Sequence, residues 1–498
     1  MTASAGTRVR DHVDRSPASA RVQAELLPEV AGLRPMDVAE AFRGLPGLAL
    51  LESGRPGRGA RWSFLSADPL AVIEEPSAGA DPFADARRAM ARVDSGPAAP
   101  PAGLRAGTAL PPFAGGLMGF LGYDLGRSLE RLPSLAADDQ DLPVLRLALH
   151  DWVVAWDHRT GEAWLLGRAV DGDLRRLARR TAEVRHRVAG FRLPDPAPDL
   201  PPLALRSNMN RPAYRAGVEA VRSAIAAGEI YQANLARRLE APFAADPWPL
   251  FRRLRTGDPA VHAAYLDLGP GIGADRGRGS HAPEIHPGPR AIVSASPEPF
   301  LAVTGDGRVQ ANPIKGTRPR GRDRAADRDL ARELLASAKD RAENVMIVDV
   351  LRNDLGRVCQ PGSVRVPRLC RLERTAAVQH LVSTVTGRLA RDRDVFDLLA
   401  AAFPGGSITG APKIRAMAIL EELEPVRRGP YTGAAGWIGP DGAMATSILI
   451  RTFVADGHRL TLHVGGGITW RSDPDAEWAE TVAKAAGPVA AVGAREIE

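Results

Sequence analysis

The chain has almost no cysteine and almost no lysine. Two cysteines in 498 residues, Cys359 and Cys370, are too few for a disulfide framework or a four-ligand zinc site. No stretch approaches the ~18 consecutive apolar residues of a membrane-spanning helix. The opening MTASAGTRVRDHVDRSP lacks the apolar run of a signal peptide, so a cytoplasmic protein that makes no membrane contact is expected. The net charge is +6, but the arginines are spread among 59 acids, with no basic tail and no interleaved aromatic run. That pattern argues against nucleic-acid binding. Lysine occurs only at 315, 339, 413 and 484, which leaves 61 of the 65 basic residues as arginine. A lysine kept against that habit is a candidate for work that needs an amine, because Arg cannot deprotonate and attack carbon while Lys can.

What is present suits a soluble enzyme: 44% apolar and 25% charged residues, in a chain long enough for two or three domains or one large elaborated body. Residues 1–20 carry little hydrophobic pattern and are expected to fray. An N-terminal subdomain is read over 21–193, a linker over 194–203 (PDPAPDLPPL, five prolines), and the catalytic part over 204–493. DWVVAWDH and EAWLLGRAV face each other across HRTG as a hairpin. Helices are predicted for DLRRLARRTAEVRHRVAG, stopped by Gly190, and for SNMNRPAYRAGVEAVRSAIAAG, with Asn caps and Gly228 as the stop. RDLARELLASAKDRAENVMIVDVLRNDL reads as one helix, KIRAMAILEELE as a helix beginning at Pro412, and DAEWAETVAKAAG as the last. Residues 268–290 read as a surface insertion, since GPGIG lacks the strand–GxGxxG–helix context of a dinucleotide site. Strands such as AIVSAS, TSILIRTFVA and RLTLHVGGGI, mixed with these helices, predict sheets flanked by helices and no strict βαβ alternation.

Several residue sets carry chemistry. Asp340 with Glu343, and Glu477 with Glu480, are spaced i, i+3, which puts each pair on one helix face. Oxygen-only clusters of this kind suit Mg²⁺, although a solvated helix face would show the same spacing. PGGSITGAPK is a glycine turn feeding a helix, a place where exposed N–H groups could meet an anion. VGGGI after a strand permits close backbone approach to a ligand. Arg451 sits in an otherwise apolar strand, where a guanidinium normally needs a carboxylate partner. Lys315 lies between Ile314 and Gly316, and burial lowers a lysine's pKa towards the nucleophilic amine. His380 is flanked by apolar residues in AVQHLVS.

These residues stand in motifs that resemble the chorismate-utilising enzymes, the family of component I of anthranilate synthase and of aminodeoxychorismate synthase. The motifs are LLES, GGLMGFLGYDLGR, GEIYQANLARR, SASPEPF, PIKGTRPRG, SAKDRAENVMIVDVLRNDLGRV, QHLVS, FPGGSITGAPK, TSILIRT, GGGI and AEWAET. The resemblance implies an α+β fold: a sandwich of antiparallel sheets wrapped by helices, with the active site in a cleft. It implies that Gln232, where water-using members have a lysine, selects ammonia. PIKGT, where anthranilate synthases typically read PIAGT, is similar to aminodeoxychorismate synthase, in which the lysine forms a covalent intermediate. By the same resemblance Glu298 is the general acid and Glu343 and Glu480 bind Mg²⁺, with Asp340 and Glu477 acting through water. Gly316, Thr317, Tyr431, Arg451, Gly465, Gly467 and Lys484 would contact substrate, and His380 would line the catalytic pocket. Ser53, Arg61 and Trp62 fall where relatives hold a tryptophan, although GRPGRGA breaks the usual spacing and Pro299 stands where relatives often have Arg. Neither cysteine sits in a glutaminase nucleophile turn, so ammonia would come from solution or a glutamine amidotransferase subunit. An anthranilate-forming lyase and a non-catalytic relative are the alternatives.

Overall fold

The computed structural model describes residues 21–54, 60–98, 109–198, 200, 202–272, 285–375 and 378–497. The expected fraying of 1–20 lies outside the described residues.

Two antiparallel sheets dominate. The larger runs in space from Val22–Leu26 through Glu162–Arg168, Trp152–Asp157, Trp62–Ser66 and Ala49–Glu52 to His262–Ile272. It continues through Ile285–Ser296, Thr452–Asp456, Arg459–Ile468 and Gln232–Pro242 to Leu203–Ser207 and Ala494–Ile497. The last pair is parallel, and the other pairings are antiparallel. The smaller sheet begins at Ile314–Pro319, continues through Val378–Arg388, Arg308–Ala311, Pro299–Val303, Met444–Ile448 and Ala434–Ile438, and ends at Gly116–Leu121, Leu145–His150 and Ala71–Ile73. Both sheets take strands from either side of residues 194–203, so the two halves of the sequence share their sheets.

The sheets face each other across an apolar layer. Phe64, Val153, Leu166, Leu266, Ile292 and Val454 come from the larger sheet and meet Met118, Phe120 and Trp437 from the smaller. Trp437 stacks on Phe113 at 5.0 Å and takes Phe64 edge-on at 5.6 Å. Each such side chain contributes ~1.5–3 kcal/mol through its burial. Helices cover the outer faces, with Trp248 and Phe251 of one helix packed against Tyr265. The antiparallel sandwich wrapped by helices is therefore the observed fold.

Local expectations hold where caps and alternation are strong. The Trp152 and Glu162 strands pair directly. Asp173 caps Leu174–Ala189, and Asn210 caps Arg211–Ala226. Residues 268–290 contribute their ends to the paired strands His262–Ile272 and Ile285–Ser296, and 273–284 lie outside the described residues.

Three expectations are corrected. RDLARELL…RNDL is two helices, Arg324–Ala336 and Ala338–Gly356, because Ser337 leaves helical geometry and its hydroxyl caps the second at Asp340 N–H. The helix after the glycine turn spans Lys413–Leu423, with extended Pro412 as its N-cap, since its ring fixes φ while ψ opens out of the helix. Arg451 is not inside a strand. TSILIRTFVA breaks into Met444–Ile448 and Thr452–Asp456, and Arg451 turns the corner at φ +50°. The chain passes there from one sheet to the other, which an unbroken apolar run conceals.

Candidate active site

The cleft opens where the Arg459–Ile468 strand of the larger sheet meets the Ile314–Pro319 strand at the edge of the smaller. Glycine makes the meeting possible. A Cβ on Gly467 would lie 2.5 Å from Gln232 Nε2 and 3.8 Å from Lys315 Nζ. One on Gly466 would lie 2.9 Å from Glu477 Oε2 and 3.5 Å from Glu480 Oε1. Gly465 is different: its Cβ would strike the Leu235 carbonyl oxygen at 2.5 Å and Ala236 Cα at 2.9 Å, so its glycine serves strand packing. Its carbonyl accepts a hydrogen bond from Lys484 Nζ at 2.8 Å.

Gln232 is 1% exposed, and neither its Oε1 nor its Nε2 has a hydrogen-bond partner among the described residues. A buried amide left so is costly unless a ligand or water meets it. Lys315 is partly buried, beside Gly316, whose φ of +81° and close contact with Asp340 and Leu334 admit no side chain without strain.

The carboxylates come from three elements. Glu298 precedes the Pro299–Val303 strand and accepts a hydrogen bond from Ser407 Oγ at 2.9 Å; burial raises its pKa, opposed by Lys315, Ser407 and Lys484. Glu343, on the Ala338–Gly356 helix, is also raised by burial against the pull of Lys315 and Lys339. Glu477 and Glu480 share the Pro474–Ala491 helix and part company. Burial raises Glu477, whereas in Glu480 the nearby amines, Lys484 foremost, outweigh burial and hold its carboxyl below the usual range. Lys484 Nζ is 2.7 Å from Glu480 Oε1. Lys339 Nζ stands between the two helices, 4.0 Å from Glu343 Oε1 and 3.9 Å from Glu477 Oε1. Asp340 is turned to Arg318 at 3.4 Å.

The donor chemistry suits a hard divalent cation. Glu343 Oε1 and Glu477 Oε2 are buried without a hydrogen-bond partner among the described residues, and all the candidate ligands are oxygens. As the side chains stand, no three carboxylate, histidine or cysteine groups converge tightly enough to hold an ion among the described residues. Glu343 and Glu480 would hold Mg²⁺ if Lys339 gave way.

The rest of the expected set is spread around this centre. Thr317 Oγ1 and His380 Nδ1 are 2.9 Å apart across paired strands, and burial, helped by Arg451, lowers the imidazole's pKa. Arg451 is 44% exposed in its side chain, with Asp258 at 3.7 Å as its loose partner, and so keeps a free guanidinium face. Tyr431 is buried, stacked on His463 at 5.0 Å, and its phenol is pushed up to about 12 by burial. Ser53 follows the Ala49–Glu52 strand of the larger sheet, and Arg61 precedes Trp62, the first residue of its neighbour Trp62–Ser66. Ser53 Oγ donates to the Trp62 carbonyl, and Arg61 is paired with Asp157 and laid over the Trp62 ring.

Of the four lysines, 315, 339 and 484 border the cleft, while Lys413 is half-buried and bound to Asp354 and the Ala402 carbonyl, both at 2.9 Å. Sequence reasoning missed Ser407, whose only trace was a place in the glycine turn. It also missed Lys339 as a neighbour of the carboxylates, although its rarity marked it.

An amine set among carboxylates in a cleft between two antiparallel sheets is the equipment of an enzyme. The pattern of chorismate binding enzymes matches residues 51–490. The chain is 43% identical over 374 residues to aminodeoxychorismate synthase component 1 of Salmonella typhimurium, covering 75% of this chain and 76% of that one. It is 41% identical over 458 residues to anthranilate synthase component 1 of Streptomyces coelicolor, covering 89% and 83%. The crystal structure of anthranilate synthase component I from Streptococcus pneumoniae superposes with a TM-score of 0.69 at 28% identity, over 87% of this chain and 93% of that one. The chain belongs to the chorismate binding enzymes.

Proposed function

We propose that the chain aminates chorismate at C4 to 4-amino-4-deoxychorismate, the precursor of p-aminobenzoate in folate biosynthesis, through a covalent bond to Lys315. The observation that carries this reading is the Lys315 amine itself, facing Gly467 and the partnerless amide of Gln232. In this reading the neutral amine attacks C2, the ring double bonds shift, and the C4–O bond breaks. Glu298 gives its proton to the departing hydroxyl, which leaves as water. Ammonia then adds at C4, the double bonds shift back, and the C2–N bond to Lys315 breaks. The tethered amine makes the first attack unimolecular, which is its advantage over ammonia in dilute solution.

Arg451 and the Thr317–His380 pair would orient carboxylate and enolpyruvyl groups, and Tyr431 would support that wall from beneath. Mg²⁺ held by Glu343 and Glu480 would neutralise charge on the substrate carboxylate when bound. Ammonia would come from a glutamine amidotransferase subunit, in keeping with relatives named component 1. Glutamine should then support turnover only when such a subunit is added.

The second reading, a lyase that forms anthranilate and releases pyruvate, is favoured by the 41% identity to an anthranilate synthase over 89% of this chain. The test is to incubate the full chain with chorismate and Mg²⁺, first without ammonia and then with it. The proposal expects a covalent adduct on the peptide containing Lys315, then 4-amino-4-deoxychorismate once ammonium is supplied. Lys315→Arg should lose the adduct and lower kcat far more than it raises KM. Anthranilate with pyruvate as products, no adduct, and an Arg variant as fast as wild type would overturn it.

A further inference from the structure

The glycine turn PGGSITG was expected to cradle an anion through its backbone. Its packing points elsewhere. A Cβ on Gly406 would meet Val350 at 2.6 Å, and one on Gly405 would meet Ile448 and Phe300 at 3.2 Å. The paired glycines therefore let this turn press against the helix and strands that frame Glu298. The short helix Gly406–Thr409 is pinned by Thr409 Oγ1, which donates back to the Gly405 carbonyl at 3.0 Å. Ser407, on that helix, donates from Oγ to Glu298 Oε1 at 2.9 Å.

That bond is the one hydrogen bond the Glu298 carboxylate makes among the described residues. The Glu298 backbone is held separately: its N–H donates to Ser296 Oγ at 3.2 Å, and its carbonyl accepts the Ile448 N–H at 3.0 Å. With the main chain fixed and three side-chain torsions free, the bond from Ser407 is the directional contact that turns the carboxyl. A hydroxyl committed to Oε1 leaves Oε2 as the oxygen that carries and delivers a proton.

We propose that Ser407 is the positioning residue for the general acid, fixing Glu298 Oε1 so that Oε2 faces the leaving hydroxyl. The proposal rests on reading Glu298 as that acid. The charged groups facing Glu298 are Lys315 on the edge strand and Lys484 on the last helix, and both favour its ionised form. Ser407 as a donor acts in the same direction. Removing it raises the pH at which the acid is lost.

The test compares Ser407→Ala, Ser407→Thr and Glu298→Gln in the full chain. Steady-state kcat and KM for chorismate are followed across pH with saturating ammonium, and adduct formation is timed without ammonia. Ser407→Ala should lower kcat about tenfold to a hundredfold, part of what general acid catalysis supplies, with KM for chorismate nearly unchanged. Its alkaline limb should move to higher pH. Ser407→Thr, which keeps the hydroxyl, should restore both rate and profile. A Ser407→Ala protein with wild-type kcat and profile overturns the proposal, as does a loss that Ser407→Thr shares in full with its pH profile unmoved. Should Glu298→Gln turn over normally, the acid reading itself falls and Ser407 with it. A dead Glu298→Gln beside an unaltered Ser407→Ala sinks only the role of Ser407.

Discussion

A side-chain carbon on Gly467 would come within 2.5 Å of the Gln232 amide, whereas the same carbon on Gly465 would strike the backbone of the neighbouring strand. Two glycines of one GGGI run thus have separate causes. The amide can swing aside, so Gly467→Ala should fold with a melting temperature close to wild type yet lose kcat/KM by about a hundredfold. Gly465→Ala should destabilise by ~1–3 kcal/mol, the usual cost of overpacking. Denaturant unfolding and chorismate turnover on both variants check this; equal stability losses would refute the division.

The motif residues were legible because their spacing is tied to one element each. Asp340 and Glu343 share a helix, as do Glu477 and Glu480. The breaks were not legible. Ser337 and Arg451 interrupt runs whose hydrophobic pattern continues unbroken, and a single residue leaving regular geometry casts no periodicity. Contacts made across the fold, such as Ser407 on Glu298 and Lys339 between two helices, depend on which surfaces pack together. The shared sheets were hidden for the same reason: a proline-rich segment looks like a boundary whether or not strands on its two sides pair.

Beneath the cleft, Arg428 and Glu424 form a buried bidentate pair, 2.6 and 2.8 Å long. Arg428 also donates to the Ile408 and Asn234 carbonyls and lies over the Tyr123 ring. Glu424 accepts the Ala236 N–H, so the pair ties the Gln232 strand to the turn that carries Tyr431. Arg428→Leu leaves a buried carboxylate and should cost roughly 3–5 kcal/mol. The double variant Arg428→Leu, Glu424→Leu should be less damaging than Arg428→Leu alone. Urea unfolding of both decides the matter, and a neutral Arg428→Leu would show that the pair contributes little.

Burial holds His150 at about 3 and His262 at about 4, both below the ordinary imidazole value. Their folded pKa values are depressed, so the unfolded chain takes up protons first as pH falls below ~6.5. Stability present above that value is lost on the way down to the folded values. Each histidine should cost roughly 2 kcal/mol by about pH 5. Melting temperatures from pH 7 to pH 5 should therefore fall, and His262→Gln should flatten the slope. A wild-type profile flat to pH 5 would mean that these imidazoles charge without unfolding the chain.

Lys339 stands between Glu343 and Glu477, on the ground beside which Glu343 and Glu480 would hold a divalent cation, and its side chain is 46% exposed on the first turn of its helix. An amine there can screen the two carboxylates in the metal-free chain and swing into solvent when a dication enters. The dication brings twice the charge, and chorismate adds two further carboxylates, so the filled site has more to neutralise than one lysine can meet. Glu343→Gln and Glu480→Gln should each abolish turnover and Mg²⁺ binding by calorimetry while leaving the melting temperature of the metal-free chain within a few degrees. Lys339→Met removes a competing charge worth no more than a half-exposed ion pair, so Mg²⁺ should bind about fivefold more tightly. The same variant should melt earlier than wild type in chelator, because its carboxylates then face each other unscreened. Mg²⁺ affinity equal in wild type and Lys339→Met would remove the lysine from the site, and full turnover of either glutamine variant in chelator would remove the metal.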